Sequence, residues 1–149
     1  MKSNESSVCP VCGEILSLRS WRARMLIESG DTKVFYQIRR LCCNKCNRLH
    51  HELPDCMVPY KRHSAETIEE VTSSSHDASC ENGTYRRIAK WWNTVLPYFL
   101  NILLSLFEKF KIQPKPAPAL KEIVRAAVNS NNWIFANMIC TRSVSLSLR

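Results

Sequence analysis

The sequence predicts an α+β fold. Two cysteine pairs, Cys9/Cys12 and Cys43/Cys46, bracket a stretch in which apolar and polar residues alternate at the period of a strand. After residue 64 the periodicity becomes helical and stays so to about Val128. With 149 residues and 45% apolar composition, the chain can form one ordinary domain or two small ones, and the composition argues against wholesale disorder.

The first pair, Cys9-Pro10-Val11-Cys12, is a knuckle-like turn. Two thiolates at this spacing reach one ion, and Gly13 lets the backbone bend behind the second sulfur. Cys43-Asn44-Lys45-Cys46 repeats the device, with Asn47 suited to the left-handed conformation. The 30 residues between the pairs exceed what a compact finger holds, and a β-hairpin fills them naturally. Trp21, Ala23, Met25 and Ile27 share one strand face, Val34, Tyr36 and Ile38 share another, and Ser29-Gly30-Asp31 supplies the turn. Two knuckles set side by side by a hairpin define a zinc ribbon, with Cys9, Cys12, Cys43 and Cys46 as ligands of one structural Zn2+. Four sulfurs leave no open position, so the site serves structure and not catalysis. Cys42 lies at the wrong spacing from Cys46, and His50, His51 and Cys56 are weaker substitutes. Cys80 and Cys140 stand alone and read as core or surface thiols.

Pro54 and Pro59 disfavour helix at the residues before them, so an extended link closes a first segment of residues 1–63. Ser64 is a natural N-cap, with Glu66, Glu69 and Glu70 near the positive end of the helix that follows. The Thr72-Ser-Ser-Ser-His-Asp run breaks that helix, and another starts near Gly83 or Thr84. A short middle helix near His76–Cys80 would complete a helix-turn-helix-like unit. Ile88, Trp92, Val95, Phe99, Ile102 and Leu106 alternate spacings of four and three, forming a heptad-like seam within the second segment, residues 64–112. Pro97 either kinks this helix or lies in the first turn of a new one beginning near Thr94. The third segment, 113–149, opens with a stiff Gln113-Pro-Lys-Pro-Ala-Pro linker. A helix then places Leu120, Ile123, Val124 and Ala127 on one face, and Asn129-Ser-Asn-Asn stops it. An exposed apolar seam is an aggregation liability, so it buries either on this last helix or in a homodimer through the face between Val95 and Phe110.

The net charge is +8 with a pI near 9.2, which points to a polyanionic partner. No apolar leader is visible at the N-terminus, and eight cysteines without one fit a reducing compartment, so a cytoplasmic location is expected. The most apolar run, from Val95 to Phe107, is too short for a bilayer span of roughly 20 residues, so no membrane span is expected.

The run Arg39-Arg40-Leu41-Cys42-Cys43, followed by Cys46, His50/His51, Leu53-Pro54, Pro59-Tyr60, Ser64 and Ile68, resembles an uncharacterised bacterial family. Its members share a transposase-type zinc ribbon leading into helix-turn-helix-like helices, and Thr84-Tyr85-Arg86-Arg87 through Trp91 matches their basic, tryptophan-bearing helix. The resemblance covers roughly residues 8–92 and implies DNA binding tied to mobile elements. A transposase's metal-dependent nuclease needs three separated carboxylates, and only Glu108 and Glu122 remain beyond the resembling region, so no enzyme is expected. In the ribbon, Arg22, Arg24, Arg39, Arg40, Lys45 and Arg48 are candidate phosphate contacts. Arg86, Arg87 and Lys90 mark a candidate recognition helix. Trp91 and Trp92 read as core residues before base-stacking platforms. The alternative is a protein-interaction adaptor without nucleic-acid binding, its ribbon a docking module and its seam holding another chain.

Overall fold

A computed structural model describes residues 6–73, 79–111, 118–133 and 138–140 of the chain. The order is β1 (Leu16–Ile27), β2 (Lys33–Cys43), β3 (Leu49–Leu53), α1 (Ala65–Thr72), α2 (Asn82–Phe110), α3 (Leu120–Asn129) and β4 (Met138–Cys140). The sheet runs β1-β2-β3-β4, antiparallel except for the parallel β3–β4 pair. The expected hairpin is present and longer than its apolar runs suggested. Its turn is a 3-10 turn at Ser29–Asp31, where Gly30 takes φ 72°.

In β1 the residues Trp21, Ala23, Met25 and Ile27 do share one face, as expected. The set Trp21, Ala23, Met25 and Ile27 is not the core-facing side: Trp21 is 40% exposed, whereas Leu26 is fully buried. The register pairs Leu18 with Leu41 but Ser20 with Arg40, so Arg19 is an extra residue, a β-bulge. Directly opposed side chains share a face. Beyond the bulge Arg22, Arg24 and Leu26 therefore lie with Ile38, Tyr36 and Val34, which share one face as expected, and Leu26, Ile38 and Tyr36 join the core formed with the helices. Before it, Leu16 and Leu18 lie with Cys43 and Leu41 on the other side of the sheet. We call these the helix face and the metal face.

The stretch 54–63 is more than a link. Met57, Val58 and Pro59 are buried, and the chain closes against β1 through Ile27 N–H donating to Arg62 (2.7 Å) and Ser64 N–H donating to Ile27 (2.9 Å). That contact fixes the start of α1, where Ser64 Oγ accepts from Thr67 N–H at 3.1 Å as an N-cap.

Helix α2 runs unbroken for 29 residues through Pro97. The proline sits on the exposed side, where the Asn93 carbonyl it leaves without a helical donor can meet water. The seam is buried as expected at Ile88, Trp92, Val95, Phe99 and Ile102, with Leu106 half-buried. Its cover comes from the same chain: α1 and α3 both pack on α2, and Trp133 stacks on Phe99 at 4.9 Å. All four apolar positions predicted for α3 are buried, and the helix stops at Asn129 with Ser130 as its C-cap. One apolar cluster draws residues from all three sequence segments, from Leu26 to Trp133.

A helix-turn-helix is not shown by α1 and α2: the middle helix expected near His76–Cys80 falls mostly outside the described residues, as does the 113–117 linker. Among the described residues no helix is long and apolar enough to cross a membrane.

Candidate metal centre and basic face

Two turns build the metal site. In the first, Gly13 N–H donates to Cys9 carbonyl (2.8 Å) and Cys9 N–H to Glu14 carbonyl (2.7 Å), with Gly13 at φ 74°. In the second, Cys43 N–H donates to Arg48 carbonyl (2.9 Å) and Asn47 takes φ 54°. Both left-handed residues are those the sequence singled out. The hairpin brings the turns together, since Leu16 next to the first pairs with Cys43 of the second.

The four sulfurs of Cys9, Cys12, Cys43 and Cys46 lie within 4.8 Å of one another and can hold a metal ion. Cys9 and Cys46 are 3.7 Å apart and Cys12 and Cys43 3.4 Å. A tetrahedral ion with metal–sulfur bonds of about 2.3 Å separates its sulfurs by about 3.8 Å, so the cluster fits one ion with little adjustment. Cys9 and Cys43 are buried with Leu16 and Leu41 in a small apolar cluster on the metal face. There the Cys46 backbone N–H pulls the Cys43 thiol down to about 7. Burial, reinforced by the Cys43 sulfur, pushes Cys46 up to about 12. The Cys12 thiol is also raised: a backbone hydrogen bond with Glu14 pulls it down, but burial and the neighbouring sulfurs outweigh it. Four thiolates this close repel one another unless a divalent cation compensates them.

Two residues complete the surroundings: His50, weighed from the sequence only as a weaker substitute ligand, and Glu52, which the sequence did not assign. His50 is buried with Nε2 3.4 Å from Cys9 Sγ, while its Nδ1 has no hydrogen-bond partner. Burial, then the Arg48 charge, lowers its pKa. Strand alternation sends His51 to the opposite face, so of the two only His50 reaches the sulfurs. Glu52, also on the metal face and 2% exposed, accepts a two-pronged ion pair from Arg39 and a hydrogen bond from Ser7 Oγ at 2.7 Å. This ties the segment before Cys9 to β2 and β3. The only signal for Glu52 was its place at alternate spacing from His50.

The basic residues divide into two groups. Arg39 is held by Glu52, and Arg24 donates to the carbonyls of Lys61 (3.2 Å) and Val58 (3.5 Å), with burial and then Arg22 lowering its pKa. Arg22, Lys45, Arg48, Arg86, Arg87 and Lys90 are exposed, and Arg40 is half-buried. Arg87 donates back to Gly83 carbonyl and Thr84 Oγ1 within its own helix, on the first turns of α2. Lys61 Nζ lies 3.7 Å over the Trp91 ring, and Trp91 is half-buried beside the core residue Trp92. The sheet arginines and the start of α2 are thus joined through Lys61 and Trp91.

No curated protein and no solved structure matches this chain. A family model described as a domain of unknown function, DUF6431, matches residues 9–91. The match opens at the first metal-site cysteine and closes at the tryptophan beneath Lys61, and since it covers more than half of the sequence, the chain belongs to the DUF6431 family.

Proposed function

We propose that this protein is a zinc-stabilised DNA-binding protein, its transposase-type ribbon and helix-turn-helix-like helices serving one interface. Zinc is the ion that a closed set of four thiolates suits best, and in such a site it supplies folding energy without reactivity. The observation that carries the DNA reading is the continuity of positive charge. Arg22, Arg40 and Arg24 all weigh on His51, Arg24 donates to the Lys61 carbonyl, and Lys61 Nζ covers Trp91 on α2, the helix that carries Arg86, Arg87 and Lys90. A duplex lying along this path meets cations from both the sheet and α2, while Arg86, Arg87 and Lys90 stand at the helix end that a major groove accepts.

Titration of fluorescent duplexes at several salt concentrations tests the reading. The logarithm of affinity should fall linearly with the logarithm of salt by about 0.9 per phosphate contact. Arg86→Ala/Arg87→Ala should weaken binding, and if either side chain reaches a base edge, preference should relax at one position at a cost of roughly 1–3 kcal/mol. Absence of binding tighter than about 100 µM at low salt refutes it.

A second reading, the interaction adaptor, draws on the metal face. Leu18, Trp21 and Phe35 lie there at 53%, 40% and 71% exposure, with Ile15 at 64% nearby. It predicts neither the salt slope nor the arginine effects.

A further inference from the structure

A row of three polar side chains crosses the helix face of the sheet. The register opposes Ser20 to Arg40 and Arg40 to His51, so they stand side by side on β1, β2 and β3. Ser20 Oγ and Arg40 Nε are both buried and both lack a hydrogen-bond partner. Buried polar atoms are nearly always paired, because an unmet one forfeits its hydration without return. Two unmet groups in directly opposed positions call for a common partner, and both can donate. The charges around them specify its sign. Burial, then Arg22, Arg40 and Arg24, lowers the pKa of His51, so positive charge converges here. Arg24 Nη2 donates to two main-chain carbonyls, which holds this guanidinium in place beside the row, where it adds to the field. The acid of β3, Glu52, is on the opposite face in the grip of Arg39.

We propose that Ser20, Arg40 and His51, with Arg22 alongside, form a binding site for one phosphate group. Donors arriving from three strands suit a tetrahedral anion with several oxygens better than a planar carboxylate, and the guanidinium can fork to two of them. This deepens the DNA reading and rests on it for the source of the phosphate, a backbone phosphodiester. The added content is that Ser20 and His51 take part, and that this position, among the basic residues, is a built site.

The test has two arms. Inorganic phosphate is titrated into the whole protein while the His51 ring resonances are followed by NMR, and duplex DNA affinity is measured against salt. Wild type should show saturable shifts of His51, weakened about tenfold or more by Arg40→Gln. Arg40→Gln should also lower DNA affinity about tenfold and make the salt slope shallower by about 0.9. Ser20→Ala should cost about fivefold on DNA with the slope unchanged, since a neutral donor releases no counterion. Ser20→Ala removes an unmet buried hydroxyl, so it should fold at least as well as wild type and keeps the test open if Arg40→Gln does not fold. If both variants bind phosphate and DNA as wild type does, the site is overturned, while a normal wild-type salt slope leaves the DNA reading intact. If phosphate binding is present and lost in the variants but no duplex binds, the phosphate site stands, its source is a small phosphorylated ligand, and the DNA reading falls.

Discussion

Changing Glu52 to leucine should be among the most damaging single substitutions in the sheet. The carboxylate is 2% exposed and accepts from both prongs of Arg39, whose side chain is 13% exposed, and from Ser7. Removing it takes away the carboxylate that both prongs of Arg39 engage where little water can reach, at a cost of about 3–5 kcal/mol. At roughly 2–4 °C per kcal/mol for a chain of this length, the melting temperature should fall by about 10 °C. Arg39→Leu alone should cost a similar amount by stranding Glu52. Arg39→Leu/Glu52→Leu removes both charges and lets two apolar side chains meet, so it should be far milder than either single change. Because Ser7 lies two positions before Cys9, Glu52→Leu should also speed metal release to a chelator, and the double variant should restore it only in part. Thermal unfolding of the four proteins supplies the double-mutant cycle. If the double variant loses the sum of the two single losses, the pair is not a coupled unit and the argument fails.

Three further outcomes are expected. Purified protein should contain about one zinc per chain by elemental analysis, and Cys9→Ser or Cys46→Ser should unfold the ribbon because binding and folding are coupled at roughly 10–16 kcal/mol, while Cys42→Ser should be mild; a metal-free protein, or an essential Cys42, refutes the ligand set. Phe99, 1% exposed and stacked on Trp133, should cost about 3–5 kcal/mol as Phe99→Ala, and Phe99→Asp should aggregate; a folded, soluble Phe99→Asp of unchanged mass by light scattering shows that the seam is not a packing face. Burial lowers the pKa values of His50, His51 and His63, so the native chain takes up protons less readily than the unfolded one and stability should decline as pH falls below about 6.5; His51→Asn/His63→Asn should lessen the fall in melting temperature between about pH 7.5 and pH 5.5, with the remainder due to His50, and an unchanged pH dependence discards the cause.

What the sequence made legible was what rests on local chemistry. The cysteine spacing, Gly13 and Asn47 predicted both turns because a left-handed residue must follow each second sulfur. Ser64 predicted its helix because a cap is a contact between near neighbours. The seam and the α3 stripe were legible because helical periodicity survives whatever packs on it. What depended on distant partners was hidden. Pro54 and Pro59 correctly announced a non-helical stretch, but nothing local says that Met57 and Val58 fill the space beneath β1 and the helices. Arg39 and Arg24 looked no different from Arg22 or Lys45, and only the register, which brings Glu52 beside one and the Lys61 carbonyl beside the other, separates them.

The bulge at Arg19 links these separate readings. Strand side chains alternate with period two, so one extra residue exchanges the faces on either side of it. Without the exchange, a strand placing Leu16 against the sulfur cluster would send Leu26 to that same side, because both numbers are even. With it, Leu16 lines the metal site, Leu26 reaches the main core, and Ser20, Arg22 and Arg24 join Arg40 on the helix face. One inserted residue therefore lets a single strand serve a metal centre on one face and a cationic, helix-supported surface on the other. Period-two counting from Trp21 to Ile27, all beyond the bulge, grouped those residues correctly on one face, but nothing in it says that Leu26, on the other face, is the residue that reaches the main core. The bulge leaves no mark in composition: Arg19 is an ordinary strand-compatible residue, and its role exists only in relation to the uninterrupted Arg40–Leu41 pair across the hairpin.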